Sequence, residues 1–144
     1  MGLPDQLPAT RPDGSLDPAF NNSVDQAAIA AGKLVFDPVT RSWTSPGGLV
    51  YDSTSKEGNR VNHVLSHLVP KPGKQDHTIF TVDRTKLIET IDEAFGKRGG
   101  GVLEGNLRVF EIDMGRQVGA NGETRIRIII RDGTRKVISA YPIQ

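Results

Sequence analysis

Between residues 125 and 131 the chain alternates in chemistry at every position but Ile129. Arg125, Arg127 and Arg131 occupy odd positions, and Ile126, Ile128 and Ile130 occupy the even positions between them. Side chains of a β-strand point to opposite faces in turn, so this segment reads as a strand with an isoleucine face and a guanidinium face. Such a pattern suits an antiparallel sheet covered on one side. Residues 107–112 and 136–141 are similarly rich in apolar and β-branched residues. Asn121-Gly122 and Asp132-Gly133 lie between the three runs as hairpin turns. The end of the chain is therefore expected to be an antiparallel meander of strands 107–112, 124–131 and 136–141.

Helical patterns precede that sheet. In residues 84–95, Leu87, Ile88, Ile91, Ala94 and Phe95 form an apolar stripe, and Asp83 is placed to cap it. Residues 57–68 repeat the pattern with Val61, Val64, Leu65 and Leu68, and stop before Pro70. A third, Ala-rich helix is expected over 24–35 with Ser23 as its cap. Residues 45–48 form a turn into a short strand, 49–51, and the β-branched run 77–82 reads as another strand. Residues 69–74 form a proline-rich basic loop between helix and strand. The expected class is α+β, with N-terminal helices packed on a twisted antiparallel sheet.

Residues 1–23 contain Pro4, Pro8, Pro12 and Pro18 and few apolar side chains. Such a segment buries too little surface to offset its ordering entropy, so it reads as a flexible linker. Residues 24–144 then make one domain, large enough to bury a core without covalent staples. Cysteine is absent, which removes disulfides, thiolate metal sites and a cysteine nucleophile. No run approaches the roughly 18 apolar residues of a membrane span. Met1 to Asp5 lacks the basic and apolar regions of a signal peptide. Gln6 stands where a myristoylation motif needs Ser or Thr.

The formal net charge is +1, but it is unevenly spread. The last thirty residues hold Arg116, Arg125, Arg127, Arg131, Arg135 and Lys136 against only Glu123 and Asp132. Positive charge gathered at one end of a chain suits a polyanionic partner.

All three histidines, His63, His67 and His77, fall within fifteen residues. Histidine moves protons near neutral pH without large tuning. On a helix, Arg60, His63 and His67 share one polar edge. Lys71, Lys74 and His77 follow the proline loop back toward it. Cleavage of RNA by transesterification needs a base for the 2′-hydroxyl, a cation for the phosphorane and an acid for the leaving 5′-oxygen. Two histidines with a lysine or arginine supply that set, and the 2′-hydroxyl makes the chemistry specific to RNA. Histidines four apart, with a third histidine and Asp76 nearby, also suit a transition metal. No Glu lies between His63 and His67, so the metalloprotease signature fails. Gly99-Gly100-Gly101 lacks the Lys and Ser/Thr of a phosphate-binding loop. Asp92 and Glu93 read as a solvated helix face, and Trp43 as a core residue.

The runs Ser45 to Tyr51, Gly58 to His67 and Val69 to Phe80, with Ile91 to Ala94, Met114 to Arg116 and Val137 to Pro142, resemble a bacterial polymorphic toxin domain. Such domains form the C-terminal tips of contact-dependent inhibition proteins and filamentous haemagglutinin-like exoproteins. The resemblance covers residues 45–144. It implies the barnase/EndoU/colicin/RelE-like ribonuclease fold and cleavage of RNA, often tRNA, without a cofactor. It also implies a monomer in a 1:1 complex with an immunity protein that covers the active site, and delivery from a larger secreted exoprotein into the cytoplasm of a target cell; the basic residues Lys71, Lys74, Arg125, Arg127 and Arg131 suit an acidic inhibitor. The residues it singles out as catalytic are His63, His67, Lys74, His77 and Tyr141. It also singles out Arg60, Arg116 and Thr134, which are expected to bind substrate together with the basic residues Lys71, Arg125 and Arg127. Ser139 stands where related domains carry Thr. Two other readings of the residues stay open. One is a non-catalytic module that binds nucleic acid or protein; the other is a metal-dependent DNA nuclease built on the histidines.

Overall fold

A computed structural model describes residues 26–55, 58–70 and 77–144. Within them the chain is α+β, with helices packed against two antiparallel sheets. The expected linker over 1–23 and the Ser23 cap lie outside the described residues, as do Lys71 and Lys74.

The larger sheet is the expected meander with one strand added at its edge. β4 (Val102–Glu104), β5 (Leu107–Asp113), β6 (Arg125–Arg131) and β7 (Val137–Ile143) lie side by side in chain order. Ile126, Ile128 and Ile130 of β6 are buried, while Arg125 and Arg127 stand half-exposed on the opposite face. The isoleucines meet Phe110, Ile112 and Ala140 from the neighbouring strands. Burying a side chain of that size stabilises a fold by about 1.5–3 kcal/mol, so the buried face fixes the register of the whole sheet. The register between β6 and β7 slips between Ile129 and Ile130, a bulge that leaves Ile138 of β7 without a cross-strand partner.

The helix over Leu87–Gly96, here α3, covers that apolar face. Leu87, Ile88, Ile91, Ala94 and Phe95 are all buried, as their spacing predicts. Its first turn is a 3-10 turn over Arg84–Lys86, where the Asp83 side chain accepts from the Thr85 N–H at 2.9 Å. Phe95 meets Phe110 edge to face at 5.9 Å between centroids.

Elsewhere the expectations need correction. The helix expected over 24–35 is shorter: α1 spans Gln26–Ala31. It ends where Gly32 crosses α3 so closely that a Cβ there would stand 2.7 Å from Ile88 Cβ. The chain then enters an unexpected strand, β1 (Val35–Asp37), which pairs with β2 (Ser42–Thr44), and β2 with β3 (Val50–Tyr51). Trp43 on β2 is fully buried, as expected. The helix expected over 57–68 is α2 (Arg60–Leu65) followed by a 3-10 turn over Ser66–Leu68. Asn59 starts it by accepting from the Asn62 N–H at 2.8 Å. Residues 77–82 form no strand. Phe80 makes a single bridge to Gly119, with Ile79 and Thr81 bonded to Ala120 and Val118. The connection between β5 and β6 covers residues 114–124, so Asn121-Gly122 is one bend in a long loop and not a two-residue hairpin. Asp132-Gly133 is a tight turn, with Gly133 at φ 79°.

β3 joins the two sheets through a parallel bridge from Val50 to Lys136 and a 2.8 Å bond from the Val50 N–H to the Arg135 carbonyl. α2 packs along β7. No helix among the described residues is long and apolar enough to cross a membrane.

Candidate functional site

Three segments bring the histidines together. α2 buries Val61, Val64 and Leu65, which turns Arg60 and His63 toward β7. The 3-10 turn carries His67, and the segment after the basic loop carries His77. That segment is tied to the turn by the Phe80 N–H, which donates to the His67 carbonyl at 2.7 Å. The result is a connected set of rings. His67 lies nearly parallel to His77, at 4.4 Å between centroids and 13° between planes. It also lies nearly parallel to Tyr141 of β7, at 5.4 Å and 23°. His63 meets His67 edge-on at 5.9 Å.

Backbone carbonyls orient two of the three imidazoles. His67 Nδ1 is 3.0 Å from the Thr78 carbonyl oxygen, and His77 Nε2 is 3.1 Å from that of Ser66. A carbonyl only accepts, so these nitrogens carry the hydrogen. In the neutral rings the lone pair then falls on His67 Nε2 and His77 Nδ1. His63 Nε2 lies 3.0 Å from the Ser139 hydroxyl, which can donate or accept.

Tyr141 belongs to a row that crosses three strands. Glu111 of β5 faces Arg127 of β6, and Arg127 faces Tyr141 of β7. Arg127 Nη1 donates to the Tyr141 hydroxyl at 3.3 Å, and its guanidinium lies 5.8 Å from the Tyr141 ring centroid. Nε and Nη2 of the same guanidinium donate to one oxygen of Glu111, at 3.1 and 2.6 Å, while Arg125 Nη2 donates to the other at 2.7 Å. These bonds set the charge states of the row. Arg127, above all, holds the Glu111 carboxyl below the usual carboxylate range. The Tyr141 hydroxyl, and after it Glu111, hold Arg127 still more firmly protonated. Arg125 also donates to the Gln144 carbonyl at 2.8 Å.

Arg60 acts on the strand. Its Nη1 donates to the Ile138 carbonyl at 3.0 Å, at the residue the bulge leaves unpaired, and its Nε lies 4.0 Å from Asp52. That contact anchors the bulge, and the bulge turns Ser139 and Tyr141 toward α2.

Six of the expected site residues therefore lie in one connected group: Arg60, His63, His67, His77, Arg127 and Tyr141. Arg125 adjoins it through Glu111. Two stand elsewhere. Arg116 forks onto Glu93 of α3 at 2.9 and 2.7 Å. Thr134 braces the β6–β7 turn, donating to the Arg131 carbonyl at 2.8 Å and accepting from the Lys136 N–H at 3.1 Å. Glu111, Ser139 and Asp52 join the site without having been expected. Glu111 had one sequence signal, its place on the polar face of an alternating strand. Asp92 departs from the solvated face expected of it, because its carboxylate accepts from the Ser45 hydroxyl at 2.6 Å and the Gly47 N–H at 3.0 Å. Among the described residues no three His, Asp or Glu side chains are grouped as metal ligands.

No protein-family model matches the chain, and no curated protein or solved structure is significantly similar to it.

Proposed function

We propose that this chain is a ribonuclease toxin domain that cleaves RNA by metal-independent transesterification. One observation carries the reading: two carbonyl-oriented imidazoles lie ring to ring beside a tyrosine that a guanidinium engages. Proton acceptors, proton donors and a fixed positive charge thus share one small surface.

One of His67 and His77 takes the proton of the ribose 2′-hydroxyl. The 2′-oxygen attacks phosphorus, and the bond from phosphorus to the 5′-oxygen breaks. The other imidazole, protonated, delivers its proton to that 5′-oxygen. The products are a 2′,3′-cyclic phosphate and a 5′-hydroxyl. Arg127, with the Tyr141 hydroxyl beside it, offers donors to the phosphorane oxygens where negative charge develops. Arg60, engaged with Ile138 and Asp52, positions β7 and does not meet the phosphate. The antiparallel sheet behind the cluster agrees with the barnase/EndoU/colicin/RelE-like architecture that the sequence resemblance implies. With that resemblance come tRNA as substrate, delivery into a target cell and an acidic immunity protein that covers the histidines.

Two paired RNAs test the chemistry, one with a 2′-deoxy sugar at the cleavage site and one without. The ribose form is cut in the presence of EDTA, and its 5′ ends carry hydroxyls. The deoxy form is inert. Cutting of the deoxy form refutes the reading, and so does loss of activity in EDTA that zinc or manganese restores.

A further inference from the structure

The histidine cluster takes up only part of the positive charge at the end of the chain. Glu111 engages Arg125 and Arg127, Glu93 engages Arg116, and Asp132 engages Arg108. Arg98, Arg131 and Arg135 differ, since none of them pairs with a carboxylate among the described residues. Arg131 and Arg135 are exposed and Arg98 is half-exposed. Cations gathered without counter-charges repel one another, and an anionic partner relieves that cost.

The fold gathers these three at one end of the sheet. Arg131 follows Arg127 on the guanidinium face of β6, four residues or roughly 13 Å further along the strand. The chain then turns at Gly133. The Thr134 hydroxyl closes the turn, donating to the Arg131 carbonyl at 2.8 Å and accepting from the Lys136 N–H at 3.1 Å. The turn delivers Arg135 to the other side of the sheet, where its Cζ lies 5.3 Å from the centroid of the Phe95 ring. Arg98 stands over the same ring at 3.7 Å, and its Nη1 donates to the Phe95 carbonyl at 2.9 Å. A Cβ at Gly48 would stand 3.0 Å from Arg135 Nη1, so the glycine leaves room for the guanidinium. Phe95 is buried, and its ring orients both cations without neutralising either. Nε and Nη2 of Arg98, and the whole guanidinium of Arg135, have no hydrogen-bond partner among the described residues.

We propose that Arg98, Arg131 and Arg135 form a second RNA-binding site, which holds backbone phosphates of the substrate away from the bond that is cut. The proposal rests on the ribonuclease reading for the identity of the polymer. Guanidinium forks match the oxygens of phosphate groups. The site presents donors and no acceptor, and its one aromatic ring lies buried under the cations. It therefore grips the backbone and does not read bases. Arg131 continues the face that carries Arg127 and Tyr141, and Arg135 and Arg98 extend it around the turn. A chain with a charge at every repeat fits such a track, and a long RNA gains contacts there that a short one cannot reach. Thr134 is a positioning residue in this site, because it holds the turn that carries both Arg131 and Arg135.

The test is fluorescence anisotropy of the full chain on a labelled hairpin RNA with 2′-fluoro sugars. That probe keeps the backbone charge and has no 2′-hydroxyl to react. Binding is followed as salt is raised. R98Q, R131Q and R135Q each flatten the plot of log affinity against log salt by about 0.7–0.9, which weakens binding about five- to eightfold at roughly 0.1 M salt. R98K and R135K restore the slope. K86Q removes the same charge at the other end of α3 and leaves slope and affinity unchanged. An unaltered slope in all three glutamine variants overturns the proposal, and so does an equal change in K86Q. A lowered melting temperature with an unaltered slope also overturns it, since the arginines are then structural. So does loss of affinity for a labelled polyglutamate with RNA binding intact, which assigns the patch to an acidic protein. If the slopes change as expected while the ribose RNA stays uncut, the phosphate site stands and the ribonuclease reading fails.

Discussion

Arg127 and Tyr141 face each other across the β6–β7 pair, joined by a 3.3 Å hydrogen bond and by a guanidinium 5.8 Å from the ring centroid. The same arginine is gripped from its other side by Glu111. A side chain held at both ends is already ordered when substrate arrives, so its donors act without reorganisation. Removing such a donor costs about 10²–10³-fold in rate, and Arg127→Ala is expected to lose that much on RNA. Arg127→Lys restores little, because an ammonium cannot engage Glu111 and Tyr141 together. Tyr141→Phe keeps the ring beside His67 and isolates the hydroxyl's share. Single-turnover cleavage by the three variants measures this. Wild-type rates in Arg127→Ala would remove Arg127 from the mechanism.

His67 and His77 are expected to be indispensable and yet nearly irrelevant to folding. Both are half-buried and outside the buried apolar cluster. Their ring nitrogens bond to backbone carbonyls on neighbouring segments, and loss of one such bond costs about 0.5–1.5 kcal/mol. Loss of a general acid or base costs about 10²–10⁴-fold in rate. His67→Ala and His77→Ala should therefore keep most of their thermal stability and lose toxicity. A melting curve and a growth assay on the same preparations separate the two effects. Wild-type toxicity in His77→Ala would leave the ring stack without a catalytic role.

The parts of the fold legible in the sequence are those with a long period. Seven residues that alternate everywhere but at Ile129 define β6, and five buried apolar positions along ten residues define α3. β1, β2 and β4 are three residues each, too short to display a period, and they form because tertiary partners complete them. The break in α2 at Ser66 is invisible for a related reason, since positions 61, 64, 65 and 68 fall on one side of either helix type. Arg60, His63 and His67 stood close in sequence and needed only a helical turn to meet. Tyr141 and Arg127 sat on two neighbouring expected strands joined by a tight turn, and they pair on one face of the sheet. Glu111 was hidden because its role depends on register with Arg127, which the long 114–124 connection leaves open. Ser139 was hidden because the bulge at Ile138 decides which face it takes.

Arg116 belongs to acid stability. Its guanidinium forks onto Glu93, and Lys97 stands 3.4 Å from the same carboxylate. Arg116 above all, with help from Lys97, pulls the Glu93 carboxyl down from 4.5 to about 2. A group whose folded value is depressed contributes stability that is complete above its unfolded value. That contribution drains away as pH falls from about 4.5 toward about 2. The pair is surface-exposed, so the contribution is small and screened by salt. Glu93→Gln and Arg116→Ala should each flatten the acid limb of melting temperature against pH, and should leave RNA cleavage at neutral pH intact. A large loss of cleavage in Arg116→Ala would instead return Arg116 to the substrate surface.

Asp92 and Tyr51 make the opposite pair of predictions about the core beneath α3. The Asp92 carboxylate satisfies the Ser45 hydroxyl and the Gly47 N–H, and Ser45 is buried. Its removal strands the buried Ser45 hydroxyl, while the exposed Gly47 N–H turns to solvent, and a buried donor left unpaired costs about 1–3 kcal/mol. Asp92→Ala should destabilise the fold by that order, with the histidine cluster untouched. Tyr51 is fully buried, and its hydroxyl oxygen has no hydrogen-bond partner among the described residues. Burial, reinforced by the Asp92 charge, pushes the phenol far above its ordinary ionisation range, so the hydroxyl stays neutral and its desolvation is uncompensated. Tyr51→Phe removes that oxygen and keeps the ring, so it should leave the protein as stable as before or more so. Denaturant unfolding of both variants gives the comparison. A Tyr51→Phe protein that unfolds as readily as Asp92→Ala would overturn the reading of the Tyr51 hydroxyl as unpaired.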